Sequence, residues 1–170
     1  GVIDESGRLV DDGREHILEH YQDVRSWQAR WWTEALQRIL AGMTDLATVD
    51  AVAVSGNGPT LVALDAGGYA LDPVLMWLDG RDSRKQGERS FFLPKIAWLA
   101  EQEPERYEKT RWFISGPEYI DYVLTGEAVT ITPSDEFSPY VWSADAALRY
   151  GLDPAKLPPC TSRRVVPPSH

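Results

Sequence analysis

The sequence has little cysteine, no long apolar run and fewer basic than acidic residues, and each of these features argues against a class of protein. Only one of its 170 residues is a cysteine, Cys160, so no disulfide bond can form within the chain, and a reducing cytoplasm is favoured as its compartment. No apolar run approaches the ~20 residues that a membrane-spanning helix requires. Lys and Arg number 17 against 26 Asp and Glu, and the net charge of −9 argues against a nucleic-acid groove, which needs clustered cations. We therefore expect no nucleic acid and no membrane among its partners.

Histidine is also scarce, which limits metal and nucleophilic chemistry. His16 and His20 have the i, i+4 spacing of metal ligands on a helix, but alternation over residues 14–21 predicts a strand there, with no Cys or Asp at ligand spacing. No Ser-His-Asp or Cys-His arrangement can be recognised. The glycine-rich turn at residues 55–59 lacks the spacing and the lysine of a phosphate-binding loop. The sequence therefore predicts no metal site and no hydrolytic triad.

The chain does have short apolar runs that are followed by helical patterns. Residues 1–10 predict a hairpin, and the runs at 50–55, 60–65 and 74–78 predict strands, because each is short, apolar and bounded by Gly, Asp or Pro. The turn at 65–68 predicts a hairpin between the last two strands. Helical spacing predicts helices near 26–42, 82–89, 94–102, 104–109, 116–124 and 145–150, with a short strand at 111–114. Ser26 is a candidate cap for the first of these helices, and Gly42 a candidate end. A mixed sheet flanked by helices is the architecture that this order predicts.

Polar and aromatic residues gather where two of the predicted strands end. Trp77 closes one apolar run, beside Asp79 and Arg81. An aromatic face suits the C–H face of a sugar, and carboxylate and guanidinium groups suit its hydroxyls. A core tryptophan followed by an Asp-Gly turn and a surface ion pair explains the same residues equally well. After the strand at 50–55, Gly58 would let the backbone approach a ligand and Asn57 would donate and accept hydrogen bonds, although Asn-Gly is also a common hairpin turn.

A third group of candidates precedes the helix near 94–102. Phe91 or Phe92 could form a wall of the same pocket, although such a pair is more often part of a core. Lys95 lies in the first turn of a helix that begins near Pro94, where a lysine is ordinarily solvated. The sequence leaves the role of Lys95 open.

Taken in order along the chain, these segments resemble the FGGY family of carbohydrate kinases. Residues 31–36 are similar to a Trp-Trp helix of that family, residues 75–81 resemble its Trp-Asn-Asp-Gly-Arg segment, and residues 94–99 resemble its Pro-Lys-Leu-x-Trp helix. The order and the spacing of the segments make the match specific. The resemblance covers nearly the whole chain and implies that residues 1–157 are most of the N-terminal, sugar-binding lobe, with 158–170 as a Pro-rich, linker-like tail.

The resemblance implies a ribonuclease-H-like, actin-type ATPase fold of the α/β class. It also implies ATP-dependent phosphorylation of a hydroxyl of a sugar or polyol, with a pentulose-like substrate favoured. The complete enzyme would use ATP and Mg²⁺, and neither is expected to bind tightly to this chain alone. On this resemblance the sugar pocket is lined by Asn57, Gly58, Trp77, Asp79 and Arg81, with Phe91 or Phe92 near its wall.

The sequence departs from the family pattern in two ways. The family's Asp-x-Gly-Thr strand would precede Gly1 and its catalytic Asp would follow His170, so we expect a sugar-side half-site that is inactive alone and cut at both ends. Residues 57–60 are Asn-Gly-Pro-Thr, whereas xylulose-type members carry Gln-Met-His-Gly. Two alternatives stay open: a non-catalytic sugar-binding or interaction module derived from a kinase lobe, and a structural piece whose exposed cleft face needs a second lobe or another copy.

Overall fold

The computed structural model describes residues 1–17, 23–56, 58–83, 85–132 and 134–161. Its strands are β1 (Val2–Ile3), β2 (Leu9–Asp11), β3 (Leu61–Leu64), β4 (Trp112–Ser115), β5 (Thr130–Ile131) and β6 (Cys160–Thr161). Its α-helices are α1 (Arg30–Gly42), α2 (Leu93–Gln102), α3 (Pro104–Lys109), α4 (Gly116–Thr125) and α5 (Ala144–Arg149). Short 3-10 helices lie at Leu46–Thr48, Asp135–Tyr140 and Pro154–Lys156.

The strands form antiparallel and parallel pairs. Strands β1 and β2 are antiparallel across the turn that begins at Asp4, which confirms the predicted hairpin. Strands β3 and β4 are antiparallel, and β5 and β6 are parallel. The chain returns after β3, so that Leu61 and Leu75 exchange two backbone hydrogen bonds of 2.8 and 3.0 Å. This return confirms the hairpin that was predicted around residues 65–68.

Strand β3 lies at the centre of the fold, and all four of its residues are buried. Because side chains alternate between the two faces of a strand, Leu61 and Ala63 pack with the buried face of α2. On the other face, Val62 and Leu64 pack with Trp27 and with residues of α1 and α4. The β3–β4 pair is therefore covered by helices on both sides, as the sequence predicts.

The helices from α2 onward confirm their predictions to within one or two residues, because their local signals are strong. Helix α4 begins with a capping box, in which the Ser115 hydroxyl and the Glu118 carboxylate satisfy each other's backbone N–H groups. It ends at Gly126, whose φ of 73° is left-handed, and Gly151 has a φ of 75° just after α5. Helix α1 begins at Arg30 rather than near 26, so Ser26 is not its cap; it ends at Gly42, as predicted.

Several predicted elements are absent from the described residues. Residues 50–55 form no strand, because no described segment pairs with them, and Val52 is 65% exposed. Of the predicted strand at 74–78 only the bridge from Leu75 to Leu61 forms. The described part of 82–89 is not helical, and Gly87 there has a left-handed φ of 81°. Residues 14–17 form no strand, and the rest of that predicted strand, residues 18–21 with His20, lies outside the described residues.

The predicted tail at 158–170 is joined to the fold where it is described. Pro159 O accepts a hydrogen bond of 3.0 Å from Thr130 N, and Cys160–Thr161 pairs with β5. Residues 162–170 lie outside the described part, so the division near 157 stays a prediction. No helix in the described ranges is long and apolar enough to cross a membrane.

Candidate functional site

A cavity of about 340 Å³ lies beside Trp77. The face of α1, the turn before Asn57, the end of the Leu75 segment and the start of α4 surround it. Its lining residues are mostly apolar, with a few polar groups, and include Trp32, Leu36, Ile39, Val54, Ser55, Thr60, Met76, Trp77, Pro117 and Ile120. A wall of this composition with a few polar groups is typical of sites that bind small organic molecules.

Of the residues predicted from the sequence, Trp77 lines this cavity, and Gly58, which is not in the lining, lies against Trp77. Gly58 has a left-handed φ of 61°, and a Cβ placed on it would lie 2.9 Å from Cβ and Cγ of Trp77. The Thr60 hydroxyl accepts a hydrogen bond of 3.2 Å from Trp77 N and so fixes the backbone of the tryptophan. The Trp77 side chain is 43% exposed, which leaves ring surface available to a ligand. Asn57 lies outside the described residues.

Asp79 and Arg81 form an ion pair with each other and are not in the lining of this cavity. The Arg81 Nε lies 2.9 and 2.8 Å from the two Asp79 carboxylate oxygens, and the Asp79 side chain is fully buried. Burial raises the pKa of the Asp79 carboxyl, but hydrogen bonds from Arg81 outweigh burial and hold this pKa below its usual value. The same hydrogen bonds raise the pKa of Arg81, whose guanidinium lies 5.2 Å from the ring centroid of Trp98.

Lys95, which the sequence left open, is buried beneath this loop rather than solvated. Its side chain is only 5% exposed, and Nζ donates to Met76 O at 3.0 Å and to Asp79 O at 2.9 Å. The two carbonyls lie on either side of Trp77. One cation on α2 therefore fixes both ends of the segment that carries Trp77.

Phe91 and Phe92 point into two different environments, and neither lines the cavity beside Trp77. Phe92 belongs to the core, with its ring 5.2 Å from Trp142 in an edge-to-face arrangement. Phe91 is 44% exposed and stacks on Tyr140 at 5.5 Å. The structure therefore groups the predicted candidates into three places: Trp77 with Gly58, the ion pair above Lys95, and Phe91 with Tyr140.

The sequence did not reveal that α1 and the start of α4 form much of the cavity wall. Trp32, Pro117 and Ile120 line the cavity but carry no chemical signal of a site in the sequence. They reach the cavity because α1 and α4 pack on the same face of β3. Within the described ranges no three His, Cys, Asp or Glu side chains come together as a metal site.

Comparison with known proteins gives a consistent relationship. No family model matches the chain. The chain is 32% identical to the xylulose kinase of Streptomyces rubiginosus, in a match that covers 96% of this chain and 38% of that protein. Its fold is similar to the crystal structure of a xyloylose kinase from Brucella ovis, with a TM-score of 0.72 and 21% identity over 94% of this chain and 39% of that one. It is also similar to the crystal structure of a gluconate kinase from Lactobacillus acidophilus, with a TM-score of 0.65 and 15% identity over 86% of this chain and 36% of that one.

The chain thus spans about two fifths of the length of the relatives that it matches. The match in sequence extends over nearly the whole chain, and the match in fold covers the same region. Both agree with the resemblance seen in the ordered motifs. The chain is therefore a relative of the xylulose kinases among the FGGY carbohydrate kinases, and it shares their actin-like fold.

Proposed function

We propose that this chain supplies the sugar-binding part of an ATP-dependent carbohydrate kinase that phosphorylates a hydroxyl of a sugar or polyol, with a pentulose favoured. The observation that carries the proposal is a match to a xylulose kinase over 96% of the chain, in a fold that places a cavity beside Trp77. The single cysteine favours the cytoplasm as the place of this reaction.

In the proposed site, the partly exposed Trp77 ring contacts the C–H face of the sugar. Its π-face is negative and attracts polarised C–H groups, and the apolar wall from α1 excludes water from that contact. The sugar hydroxyls would be met by the few polar groups of the lining, among them Ser55 and Thr60. Asp79 and Arg81 act as positioning residues, because the two side chains form an ion pair with each other.

The resemblance implies ATP and Mg²⁺ for the complete enzyme, in which they supply the phosphoryl group and neutralise its charge. We propose that neither binds tightly to this chain alone. We also propose that residues 1–157 form the sugar-side lobe and that the remaining length of the relatives supplies the phosphate-side groups. Asn57 remains a proposed sugar contact, whereas Phe91 and Phe92 act at most indirectly.

A second candidate is a sugar-binding module that performs no phosphoryl transfer. It is favoured by the lining of the cavity beside Trp77, whose apolar wall and few polar groups suit a sugar whether or not phosphoryl transfer follows. In either case the apolar face around the cavity is expected to be covered by a second lobe or by another copy of the chain.

Calorimetric titration of the 170-residue chain with D-xylulose, gluconate, glycerol and hexoses tests the proposal. We expect a pentulose to bind, and Trp77→Ala to weaken it about tenfold through loss of the aromatic contact. Tyr69→Ala is the matched control, because Tyr69 is 75% exposed and lies outside the cavity lining.

Binding of none of these sugars would contradict both candidates. The two are separated by adding ATP and Mg²⁺ to the complete protein that contains this chain: phosphorylation supports the kinase, and sugar binding without turnover supports the module. Enzyme-like turnover by the 170-residue chain alone would refute the proposed division of the site.

A further inference from the structure

A second cavity, of about 280 Å³, lies elsewhere on the chain and is not used by the proposed function. It is formed by residues 87–90, by Ser138 and Pro139, by the first residue of α2 and by one face of α5. It shares no lining residue with the cavity beside Trp77. Its lining is rich in polar and cationic groups, in contrast to the apolar wall of the first cavity.

Two arginines with free guanidinium groups line this second cavity. Arg89 and Arg149 are both exposed, and neither guanidinium forms a hydrogen bond or ion pair with any other described residue. The cavity contains one carboxylate, that of Glu88, whose Oε1 accepts a hydrogen bond of 2.6 Å from Ser90 N. The lining therefore carries two cations and one carboxylate, an excess of positive charge on a chain with a net charge of −9.

Neutral donors accompany the two arginines. Ser138 and Ser143 line the cavity, and the Ser143 oxygen accepts a hydrogen bond of 3.2 Å from Ala146 N, which leaves its hydroxyl hydrogen able to donate. Trp142 also lines the cavity, and its buried indole N–H has no acceptor within the described part of the chain. An unmet buried donor is unfavourable, so an acceptor that reached this N–H on binding would be stabilised.

An exposed group of aromatic side chains adjoins the cavity. Phe91 stacks on Tyr140 at 5.5 Å, and Phe137 lies 6.3 Å from Tyr140. These rings are 39–51% exposed. Each ring is carried by a residue next to a lining residue in the sequence: Phe91 follows Ser90, and Phe137 and Tyr140 flank the lining pair at 138–139.

We infer that this cavity binds the phosphoryl group of a small phosphate ester, whose carbon skeleton lies on the rings of Phe91, Phe137 and Tyr140. Guanidinium groups present forked donors that match phosphate oxygens, and hydroxyls add further donors. The neighbouring aromatic faces suit the apolar face of a sugar or a nucleobase. The ligand is therefore a sugar phosphate or a nucleotide held outside the proposed sugar site.

The test is a titration of the 170-residue chain with inorganic phosphate, ribose 5-phosphate, AMP and unphosphorylated ribose, without added sugar substrate. We expect the esters to bind more tightly than inorganic phosphate, and ribose not to bind here. If ribose 5-phosphate binds more tightly than AMP, the ligand is a sugar phosphate, and if AMP binds more tightly, it is a nucleotide. In ¹H–¹⁵N spectra, binding should shift the indole N–H signal of Trp142.

The test variant carries both Arg89→Gln and Arg149→Gln. The control variant is Arg25→Gln, because Arg25 is exposed and lies outside the cavity. Loss of one charge-assisted contact weakens binding about tenfold or more, so the double variant should lose ester binding while Arg25→Gln retains it. Trp77→Ala should leave ester binding unchanged, which separates this inference from the proposed function. Ester binding that persists in the double variant, or an unmoved Trp142 signal at saturation, would overturn the inference.

Discussion

Replacing Lys95 with methionine is expected to destabilise the fold through the loop that carries Trp77. The buried Nζ donates to Met76 O at 3.0 Å and to Asp79 O at 2.9 Å. Without the ammonium group Asp79 O loses its donor, and an unmet buried group costs ~1–3 kcal/mol, whereas Met76 O keeps a hydrogen bond of 3.0 Å from Asp79 N. Methionine fills a similar volume and avoids the desolvation of a cation, which offsets part of this cost. The expected net loss in the free energy of unfolding is about 1–2 kcal/mol.

Urea denaturation at neutral pH measures this loss, with far-ultraviolet circular dichroism as the signal. Lys109→Met is the matched control, because Lys109 is exposed at the end of α3. The control should change the free energy of unfolding by less than ~0.5 kcal/mol. Both variants remove one positive charge, so their difference isolates the two buried contacts from the overall change in charge.

A second readout distinguishes a local from a general effect. Because Met76 and Asp79 lie on either side of Trp77, loosening them should change the tryptophan's environment and weaken sugar binding even below the unfolding transition. A Lys95→Met protein as stable as the Lys109→Met control would refute the argument, since it would show that the two carbonyls do not need the ammonium group.

Two further substitutions test the geometry of the site and the pH dependence of the fold. Gly58→Ala should weaken sugar binding, because the new Cβ would lie 2.9 Å from Trp77 atoms at a left-handed φ of 61°. Gly80→Ala, with nothing within 4 Å and no left-handed φ, should bind as the wild type does in the same titration; equal binding by both variants would count against the Trp77 site. Burial raises the pKa of Glu118 above 4.5 in the folded chain, so its contribution to stability is full at lower pH and is lost as pH rises through the raised value. Urea unfolding at a series of pH values should show this fall in the free energy of unfolding for the wild type and for the control Glu105→Gln, whose site is exposed. Glu118→Gln should not show it. If the free energy of unfolding of Glu118→Gln fell with pH as steeply as that of the wild type, the assignment to Glu118 would be contradicted.

The helices from α2 onward could be predicted because their signals are local. Pro94, Pro104 and Pro117 mark first turns, and Gly126 and Gly151 follow the last turns of their helices with left-handed φ. The hairpin at the first residues is likewise set by its own turn. Such elements satisfy most of their backbone hydrogen bonds within a few residues, so a sequence window contains the information that forms them.

The elements that failed depend on distant parts of the chain. Residues 50–55 have the apolar composition of a strand, but a strand exists only where another segment offers backbone partners, and none is described beside Val52. In the predicted helix near 82–89, Ser83 N instead donates to Pro94 O at 2.9 Å, and Gly87 adopts a left-handed φ of 81°. Contacts with α2 thus outweigh the weak helical pattern of that segment.

Neighbouring residues of one motif can take different roles, and this limits what sequence alone shows about a site. Trp77 and Asp79 are two residues apart, yet the first is 43% exposed at a cavity and the second is 3% exposed and paired with Arg81. The buried pair and Lys95 fix the loop, so Asp79 can influence a bound sugar only through the position of Trp77. A substitution at Asp79 should therefore lower stability and sugar affinity together, whereas one at Trp77 should lower affinity alone. That contrast would separate a residue that contacts the ligand from one that holds the contact in place. A match between motifs does not show which of the two roles a residue has.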